Sequence, residues 1–471
     1  MQKRTVAIAG GGLAGLAAGC ALADAGYRVT LFERRPYLGG RASSYQHPGT
    51  GEVVDNCQHV LLGCCTNLID FYRRTGVENK IRWYDQLTFL EPGGRASVIV
   101  PSALPAPLHT APSFLRAACL DLPDKVAIAR AMIALMPTQP PDRGKTFLDW
   151  LKQHGQTQQA IERFWKTILV SALNEDLDRV SVPYAAQVVR ESFLKSADAG
   201  KMGIPTVPLT ELYSKTGDYI RARGGEIQLR AGVEAFEEAV SGVGVIANGQ
   251  KQPFDYLLLA APFDVVARML PDDAPGMALA HQLEKFATSP ITGIHLWFDR
   301  EISELDHAVL LDRTIQWMFH KSRIIEFRNQ EARDPGAGKN GRGSYVELVV
   351  SCSRSLVERP KGEIVQLALE ELKEFVPQAR NATLVKSTVI KEVHATYSPA
   401  PGVDELRPPA ATAWAHVFLA GDYTATGWPA TMEGAVRSGY LAAQALARTA
   451  GETARFLVSD LPPAGLMRVI G

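Results

Sequence analysis

The feature that most constrains the fold is a glycine motif between two short apolar runs near the start of the chain. Residues 5–9 predict a buried parallel strand, and glycines follow in the pattern G-x-G-x-x-G at positions 10, 12 and 15. Residues 13–25 have the small, apolar composition of a packed helix, and residues 28–32 predict a second strand that ends on Glu33. This order predicts an α/β fold with a Rossmann-like domain that binds a dinucleotide.

The residue types of this motif match the chemistry of a bound pyrophosphate. Gly10 permits a tight turn, Gly12 lets the backbone approach the pyrophosphate, and Gly15 lets the helix pack against the strand. The helix N-terminus adds amide donors and a partial positive charge. Glu33 is placed to accept hydrogen bonds from an adenosine ribose, and its charge would repel the 2′-phosphate of NADP. These residues leave FAD and NAD as the candidate cofactors.

Composition narrows the class of partner. Lys and Arg together number 50, and so do Asp and Glu, so the formal net charge is zero. Nucleic-acid-binding proteins usually carry a basic excess, so we expect no nucleic acid and a small molecule as the partner, for which a lipid is one candidate. Cys57, His59 and the Cys64–Cys65 pair offer metal-ligand chemistry, but structural zinc sites space their ligand pairs about two to four residues apart. We therefore expect no metal.

Residues 101–119 are both apolar and rich in proline. They fit either a membrane-facing entrance for a lipid substrate or an irregular loop packed on the core. No apolar run reaches the about 18 residues that a membrane-spanning helix needs. We predict a cytoplasmic protein, in peripheral contact with the cytoplasmic membrane if the first interpretation holds.

Two later segments carry a resemblance to a known superfamily. Residues 38–44 (Leu-Gly-Gly-Arg-Ala-Ser-Ser) and the pair Gly421-Asp422, which follows a predicted strand at 417–420, resemble motifs of the amine-oxidase and phytoene-desaturase flavoproteins. The resemblance implies that Arg41 helps to hold the cofactor and that Asp422 binds its ribityl chain and pyrophosphate. It therefore favours FAD over NAD.

The same resemblance implies further contacts with FAD. Val233 would contact the adenine through its backbone, and the helix that is predicted from Met432 would point its N-terminus at the flavin ring, where positive potential stabilises negative charge. The residues that we expect to bind FAD are Gly10, Gly12, Leu13, Ala14, Gly15, Glu33, Arg34, Gly40, Arg41, Val233, Gly421, Asp422 and Met432.

The resemblance also implies that the cofactor domain is discontinuous. We predict an FAD-binding domain from residues 1–96, 206–272 and 404–453, and a C-terminal tail at 454–471. A mixed α+β substrate domain would comprise 97–205, which is largely helical by its stop signals, and 273–403, which has strand-like runs at 291–298 and 345–350. Residues 330–343, rich in Gly, Arg and Asp, predict an exposed loop.

A more specific resemblance lies outside the cofactor motifs, in residues 54–66, 87–94, 104–108, 171–174, 204–209, 398–402 and 424–435. These segments resemble the hydroxysqualene dehydroxylases, also called squalene-associated FAD-dependent desaturases. The resemblance implies that hydroxysqualene loses its allylic hydroxyl and gains a hydride to give squalene, in the synthesis of hopanoids or other squalene-derived lipids. The alternatives are a carotenoid desaturase of the phytoene type, an amine oxidase, and a carrier of prenylated proteins that makes no use of flavin.

The implied reaction suggests three catalytic residues. Hydroxide is a poor leaving group, so the substrate needs a proton donor, for which we nominate Asp55 and His59; an apolar pocket would keep a carboxyl protonated and so favours Asp55. Both residues fit equally a role in holding the loop or the cofactor. Trp428 is the candidate aromatic face for an allylic cation, which hydride from reduced FAD would quench. Since the chain has a single dinucleotide motif, we expect an external electron donor or reductase.

Overall fold

The computed structural model describes residues 3–325 and 343–470. Its strands are β1 (Thr5–Ala9), β2 (Arg28–Glu33), β3 (Ser44–Gln46), β4 (Val53–Asp55), β5 (Leu61–Leu62), β6 (Ile81–Tyr84), β7 (Leu87–Leu90), β8 (Ala96–Ile99), β9 (Met202–Pro205), β10 (Glu226–Leu229), β11 (Val233–Ala239), β12 (Gly242–Ala247), β13 (Gln250–Phe254), β14 (Tyr256–Leu259), β15 (Thr288–Phe298), β16 (His307–Leu310), β17 (Trp317–Phe319), β18 (Ser344–Ser351), β19 (Leu384–Tyr397) and β20 (Val417–Leu419).

The α-helices are α1 (Leu13–Asp24), α2 (Thr66–Arg74), α3 (Ala111–Arg116), α4 (Leu122–Leu135), α5 (Phe147–Gln153), α6 (Gln158–Ala160), α7 (Thr167–Leu173), α8 (Val182–Val189), α9 (Leu209–Arg221), α10 (Phe263–Met269), α11 (Ala274–Leu283), α12 (Lys321–Ile324), α13 (Arg354–Val357), α14 (Lys361–Phe375), α15 (Met432–Thr449) and α16 (Met467–Ile470). Two π-helical segments, Ile161–Lys166 and Arg190–Leu194, adjoin α7 and α8. None of the described helices is long and apolar enough to cross a membrane.

A parallel sheet of five strands, in the order β10-β2-β1-β14-β20, contains the first glycine motif. Its strands come from distant parts of the chain, and the central residues of β1, β2, β14 and β20 are buried, as expected for a sheet covered on both faces, whereas the edge strand β10 is partly exposed. Helices α1 and α15 pack closely, because Gly439 has no side chain: an added Cβ would lie 2.2 Å from the carbonyl oxygen of Ala14. The predicted strands at 5–9, 28–32 and 417–420 and the helices that follow the first and last of these are confirmed.

A larger, mainly antiparallel sheet has the order β19-β15-β18-β17-β16-β7-β8. The predicted strand-like runs at 291–298 and 345–350 lie in β15 and β18, which pair from Ile291 with Ser351 to Phe298 with Ser344. Strands β7 and β8 also belong to this sheet, through the pairing of β7 with β16. Strand β7 therefore hydrogen-bonds with β16 of the predicted substrate domain, although the sequence predicts that residues 1–96 belong to the FAD-binding domain.

The block between β8 and β9 is helical, as its stop signals predict. Pro123 lies in the first turn of α4, and Thr146 and Asp149 form a reciprocal capping box at the start of α5. The C-terminal tail packs back on the body of the protein, since the backbone of Val458 bonds to Asn67 and that of Leu466 to Ala106. The predicted loop at 330–343 falls outside the described residues, except for Gly343.

Candidate active site

The glycine turn at the carboxyl edge of the parallel sheet has the geometry that a pyrophosphate requires. Gly10 has φ +121°, and an added Cβ would lie 2.6 Å from the carbonyl oxygen of Ala260. At Gly15 a Cβ would lie 2.0 Å from the carbonyl oxygen of Gly10, so this glycine lets α1 pack against the turn. Gly12 differs, because the nearest atom to its added Cβ is 3.9 Å away. The open space at Gly12 is where a ligand can approach the backbone.

Glu33 ends β2 beside this turn and is buried. Its carboxylate accepts hydrogen bonds from the backbone N–H groups of Gly11, at 2.7 Å, and Arg35, at 2.8 Å. Each oxygen retains a lone pair after these bonds. The acid is thus fixed at the sheet edge with acceptor capacity left for a ribose hydroxyl.

A cavity of about 560 Å³ extends from this turn to the large sheet. Every residue that we expected to bind FAD lines it except Gly15, whose role is packing: the cavity wall contains Gly10, Gly12, Leu13, Ala14, Glu33, Arg34, Gly40, Arg41, Val233, Gly421, Asp422 and Met432. Segments that are hundreds of residues apart in sequence thus meet around one space. An open glycine, an acid at the strand end and a helix N-terminus on that space fit FAD.

Arg41 joins the two later motifs. Its guanidinium donates to the Asp422 carboxylate at 2.8 Å and to the carbonyl oxygen of Ala395 at 2.7 Å. The negative charge of Asp422 raises the pKa of Arg41. Arg41 therefore holds the Gly421-Asp422 turn against β19 as well as lining the cavity.

Asp55, nominated as the proton donor, does not line the cavity, and its environment contradicts that role. It is buried, it accepts from the Lys321 ammonium at 2.6 Å, and the Ser44 hydroxyl donates to it at 2.5 Å. Burial by itself would raise the pKa of Asp55, but the charge of Lys321 and these hydrogen bonds outweigh it, and the pKa is lowered. Our prediction of an apolar pocket around Asp55 was wrong, because the sequence does not show that Lys321 lies beside it.

Glu347 lies on the other side of the same ammonium, 3.5 Å from the Lys321 nitrogen. It is fully buried, and neither of its carboxylate oxygens has a hydrogen-bond partner among the described residues. Burial raises the pKa of Glu347 to about 7, although Lys321 opposes the shift. Lys321 also donates to the Gln58 side chain at 2.7 Å, so this charge cluster supports the segment 56–59 of the cavity wall from behind.

His59 does line the cavity. Its Nδ1 lies 2.7 Å from the carbonyl oxygen of Cys57, which fixes Nδ1 as the protonated nitrogen of the neutral ring. Burial lowers the pKa of His59, and the Cys57 carbonyl opposes this shift only in part. The ring is neutral at neutral pH, and its Nε2 is an acceptor.

Glu392, on β19, lines the same cavity as His59 but was not predicted from the sequence. The side chain of Asn56, which also lines the cavity, donates to it at 2.9 Å. Asn174 and Thr396, bonded to each other at 2.9 Å, complete this polar part of the wall. No motif points to a single acid within a strand that is fourteen residues long; only the position of Asn56 after the predicted Asp55 hinted at this contact.

Trp428 does not line the cavity. Its ring packs with Cys64 and Ala199, under the guanidinium of Arg437 at 4.6 Å. A ring that already faces a cation and is covered by the core has no face for a substrate, so the aromatic role that we gave Trp428 is contradicted. The residue is close to the late glycine motif in sequence, but the loop turns its side chain away.

A second cavity, of about 250 Å³, lies among the helices of the 97–205 block. Its wall is apolar and aromatic, with Phe89, Phe114, Phe164 and Phe193, and both π-helical segments contribute to it. Helix α7 separates the two cavities: Ile168 lines the second, and Ser171 and Ala172 line the first.

The parallel sheet, the glycine turn and the cavity at the sheet edge define a dinucleotide-binding oxidoreductase. Residues 13–447 match the model of the flavin containing amine oxidoreductases, and the chain belongs to this family. It is an FAD-dependent oxidoreductase.

Its relatives include two desaturases. A 15-cis-phytoene desaturase of Synechococcus elongatus is 27% identical over 470 residues, which cover 94% of this chain and 95% of that protein. A chloroplastic/chromoplastic 15-cis-phytoene desaturase of Glycine max is 27% identical over 465 residues, or 95% of this chain and 80% of the relative.

Solved structures share the fold. An oxidoreductase from Methanosarcina mazei superposes with a TM-score of 0.69 at 18% identity, covering 92% of this chain and 98% of that one. Cyclohexylamine oxidase from Brevibacterium oxydans superposes with a TM-score of 0.65 at 19% identity, covering 96% of this chain and all of that one.

Proposed function

We propose that the protein removes the allylic hydroxyl of hydroxysqualene reductively and releases squalene, as a step in hopanoid or other squalene-derived lipid synthesis. The observation that carries the proposal is the second cavity: an apolar, aromatic space separated from the cofactor cavity by α7 suits a long isoprenoid chain. The segments at 54–66 and 424–435 that resemble hydroxysqualene dehydroxylases support this substrate over other isoprenoids.

The residues around the cavities suit this chemistry. The apolar wall of the second cavity suits the hydrocarbon chain of the substrate, whereas the carbon that loses its hydroxyl must lie in the first cavity, within reach of the flavin and the proton donor. Water must be excluded there, because it would otherwise recapture an allylic cation and restore the alcohol. FAD, when bound and reduced, supplies the hydride. Electrons reach it from an external donor: a reductase, a carrier or a loosely visiting nucleotide.

Proton delivery to the leaving hydroxyl falls to groups in the cavity wall. His59 and Glu392 are the titratable candidates there, and Asp55 is excluded by its ion pair with Lys321. The side chain of Asn56 donates a hydrogen bond to Glu392 at 2.9 Å. Because Nε2 of His59 is an acceptor, we assign the donor role to Glu392 and a positioning role, as acceptor for the hydroxyl, to His59.

A second function is favoured by the relatives. The phytoene desaturases cover nearly the whole chain, and such an enzyme would use oxidised rather than reduced flavin. The two functions differ in the direction of electron flow, so one experiment separates them.

The test is anaerobic mixing of the photoreduced holoenzyme with hydroxysqualene, and of the oxidised holoenzyme with phytoene, each followed by product analysis. The proposal predicts squalene in the first mixture and no desaturated product in the second. Conversion of phytoene without conversion of hydroxysqualene would replace the proposal with the desaturase. Glu392→Gln should retain FAD and slow flavin oxidation by hydroxysqualene about 100-fold or more, as expected for loss of a proton donor. His59→Ala should also retain FAD and slow the reaction less; wild-type rates in both variants would exclude both residues from the mechanism.

A further inference from the structure

Helix α4 has two apolar faces. Ala127, Ile128, Ala131 and Leu135 are buried against the core. The opposite face carries Leu122, Val126 and Ile133, which are 67%, 42% and 62% exposed. A helix that is apolar all round is normally buried on every side, yet within residues 3–325 and 343–470 nothing covers this face. The exposed residues recur at i, i+4 and i+11, so they lie along one line of the helix.

Two neighbouring segments extend this face. Leu115, at the end of α3, is 61% exposed, and its carbonyl oxygen accepts from Lys125 of α4 at 2.9 Å. The backbone N–H of Leu466 bonds to Ala106 at 2.8 Å, which brings the C-terminal segment to the proline-rich one. We call the whole set the outer apolar surface; it consists of Leu104, Leu108, Leu115, Leu122, Val126, Ile133, Leu466, Val469 and Ile470, all exposed.

The charges around this surface are mainly positive. At about 100° per residue, Lys125 and Arg130 fall on the two sides of the exposed face of α4, and Arg116 and Arg468 are exposed beside Leu115 and Val469. Of the two acids between residues 100 and 136, Asp124 is buried, whereas Asp121 is exposed at the N-cap of α4. An apolar stripe flanked by Lys and Arg is the pattern of a helix that lies in a lipid interface, and its cations suit anionic lipids.

The second cavity opens at the same place. Leu108 and Ile133 are both exposed on the outer apolar surface and line the cavity. A large exposed apolar surface marks an interaction site. Because two of its residues also line the second cavity, we infer that a ligand can enter that cavity from a partner bound to this surface.

We propose that the outer apolar surface docks on the anionic face of a lipid bilayer and that the isoprenoid passes from the bilayer directly into the second cavity. The second half rests on the proposed function, because it assumes an isoprenoid substrate; the docking itself does not. Such uptake would spare an insoluble substrate any passage through water.

The test is co-sedimentation of the holoenzyme with vesicles of phosphatidylcholine alone and of phosphatidylcholine mixed with phosphatidylglycerol. We expect stronger binding to the mixed vesicles and weaker binding at high salt. The double variant Leu122→Ser/Ile133→Ser should bind about tenfold more weakly or worse. Val240→Ser/Met277→Ser, at exposed apolar residues outside the surface, is the matched control and should bind like the wild type.

Absence of vesicle binding, or equal binding by the wild type and the Leu122→Ser/Ile133→Ser variant, would overturn the proposal. The proposal would also be overturned if the wild type were a dimer that binds no vesicles and the Leu122→Ser/Ile133→Ser variant were a monomer. In that case a second copy of the protein would cover the surface. Since the assay contains no substrate, its failure leaves the proposed function standing. Conversely, vesicle binding by an enzyme that does not convert hydroxysqualene in detergent would refute the proposed function alone.

Discussion

The carboxylates of Asp55 and Glu347 lie at different distances from the same buried ammonium group, that of Lys321. The Lys321 nitrogen is 2.6 Å from Asp55 and 3.5 Å from Glu347. Two acids beside one cation cannot both ionise at no cost, so their pKa values move apart: that of Asp55 is lowered and that of Glu347 is raised to about 7. Near neutral pH this cluster holds a proton on Glu347, directly behind segment 56–59 of the cavity wall.

The elevated pKa of Glu347 predicts a pH-dependent loss of stability. A carboxyl whose pKa is raised in the folded protein stabilises it fully below the unfolded value of 4.5, and this contribution is lost as the pH rises to about 7. Relative to Glu347→Gln, the wild type should lose about 3 kcal/mol of unfolding free energy across that range and no more above it. Urea unfolding of both proteins at several pH values measures this. A difference that stays constant with pH would mean that Glu347 ionises normally.

Glu33 and Asp422 are expected to hold FAD through charged hydrogen bonds. Glu33→Ala and Asp422→Ala should each weaken FAD retention by about 1–3 kcal/mol, measured as flavin bound per protein after dialysis. Glu237→Ala, at an exposed acid that pairs with Lys251, is the control and should retain full flavin. If both site variants also purify with full flavin and unchanged affinity, the assignment of these two residues is wrong.

At the scale of the elements, two glycines of the turn between β1 and α1 have different roles: Gly15 permits the packing of α1, and Gly12 leaves space for a ligand. Gly15→Ala should destabilise the apoprotein by about 1–3 kcal/mol or more, because its Cβ would lie 2.0 Å from the Gly10 carbonyl oxygen. Gly12→Ala should change apoprotein stability by less than about 1 kcal/mol yet sharply reduce FAD affinity, because only the ligand needs that space.

Urea unfolding of the apoproteins and flavin titration distinguish the two effects. Gly362→Ala, at a glycine with no atom within 4 Å of an added Cβ, serves as the control for both measurements. Equal losses of stability in the Gly12 and Gly15 variants would show that the open space at Gly12 is not reserved for a ligand.

For the whole molecule, the single dinucleotide motif predicts that the electrons that reduce the flavin come from a separate reductase or carrier. NADH or NADPH alone should reduce the bound flavin slowly, whereas dithionite or light with a photoreductant should reduce it at once. Stopped-flow absorbance of the flavin follows both reactions. Rapid reduction by either nucleotide would contradict a dependence on a separate reductase or carrier.

The sequence predicts well those structures that form between residues close together in the chain. Gly10 to Glu33 forms a strand, turn, helix and strand within one stretch, so periodicity and glycine spacing locate each element. The charge cluster could not be predicted in this way, because Lys321 meets Asp55 across 266 residues of chain. The predicted position of Trp428 at the cofactor cavity was wrong for a related reason. Proximity in sequence to the cofactor motif does not fix the direction in which a loop side chain points, and the Trp428 ring packs in the core instead.

The bond between Arg41 and Asp422 spans 381 residues, and it has a consequence for biosynthesis. A ribosome completes the β1-α1-β2 unit long before it makes β20 and α15, which supply the central sheet with its last strand and α1 with its packing partner. During that interval the nascent amino-terminal unit has an uncovered hydrophobic edge and only part of its flavin-binding residues. We therefore expect FAD to bind only late in synthesis, after Asp422 has been made, and the incomplete unit to be prone to aggregation until then.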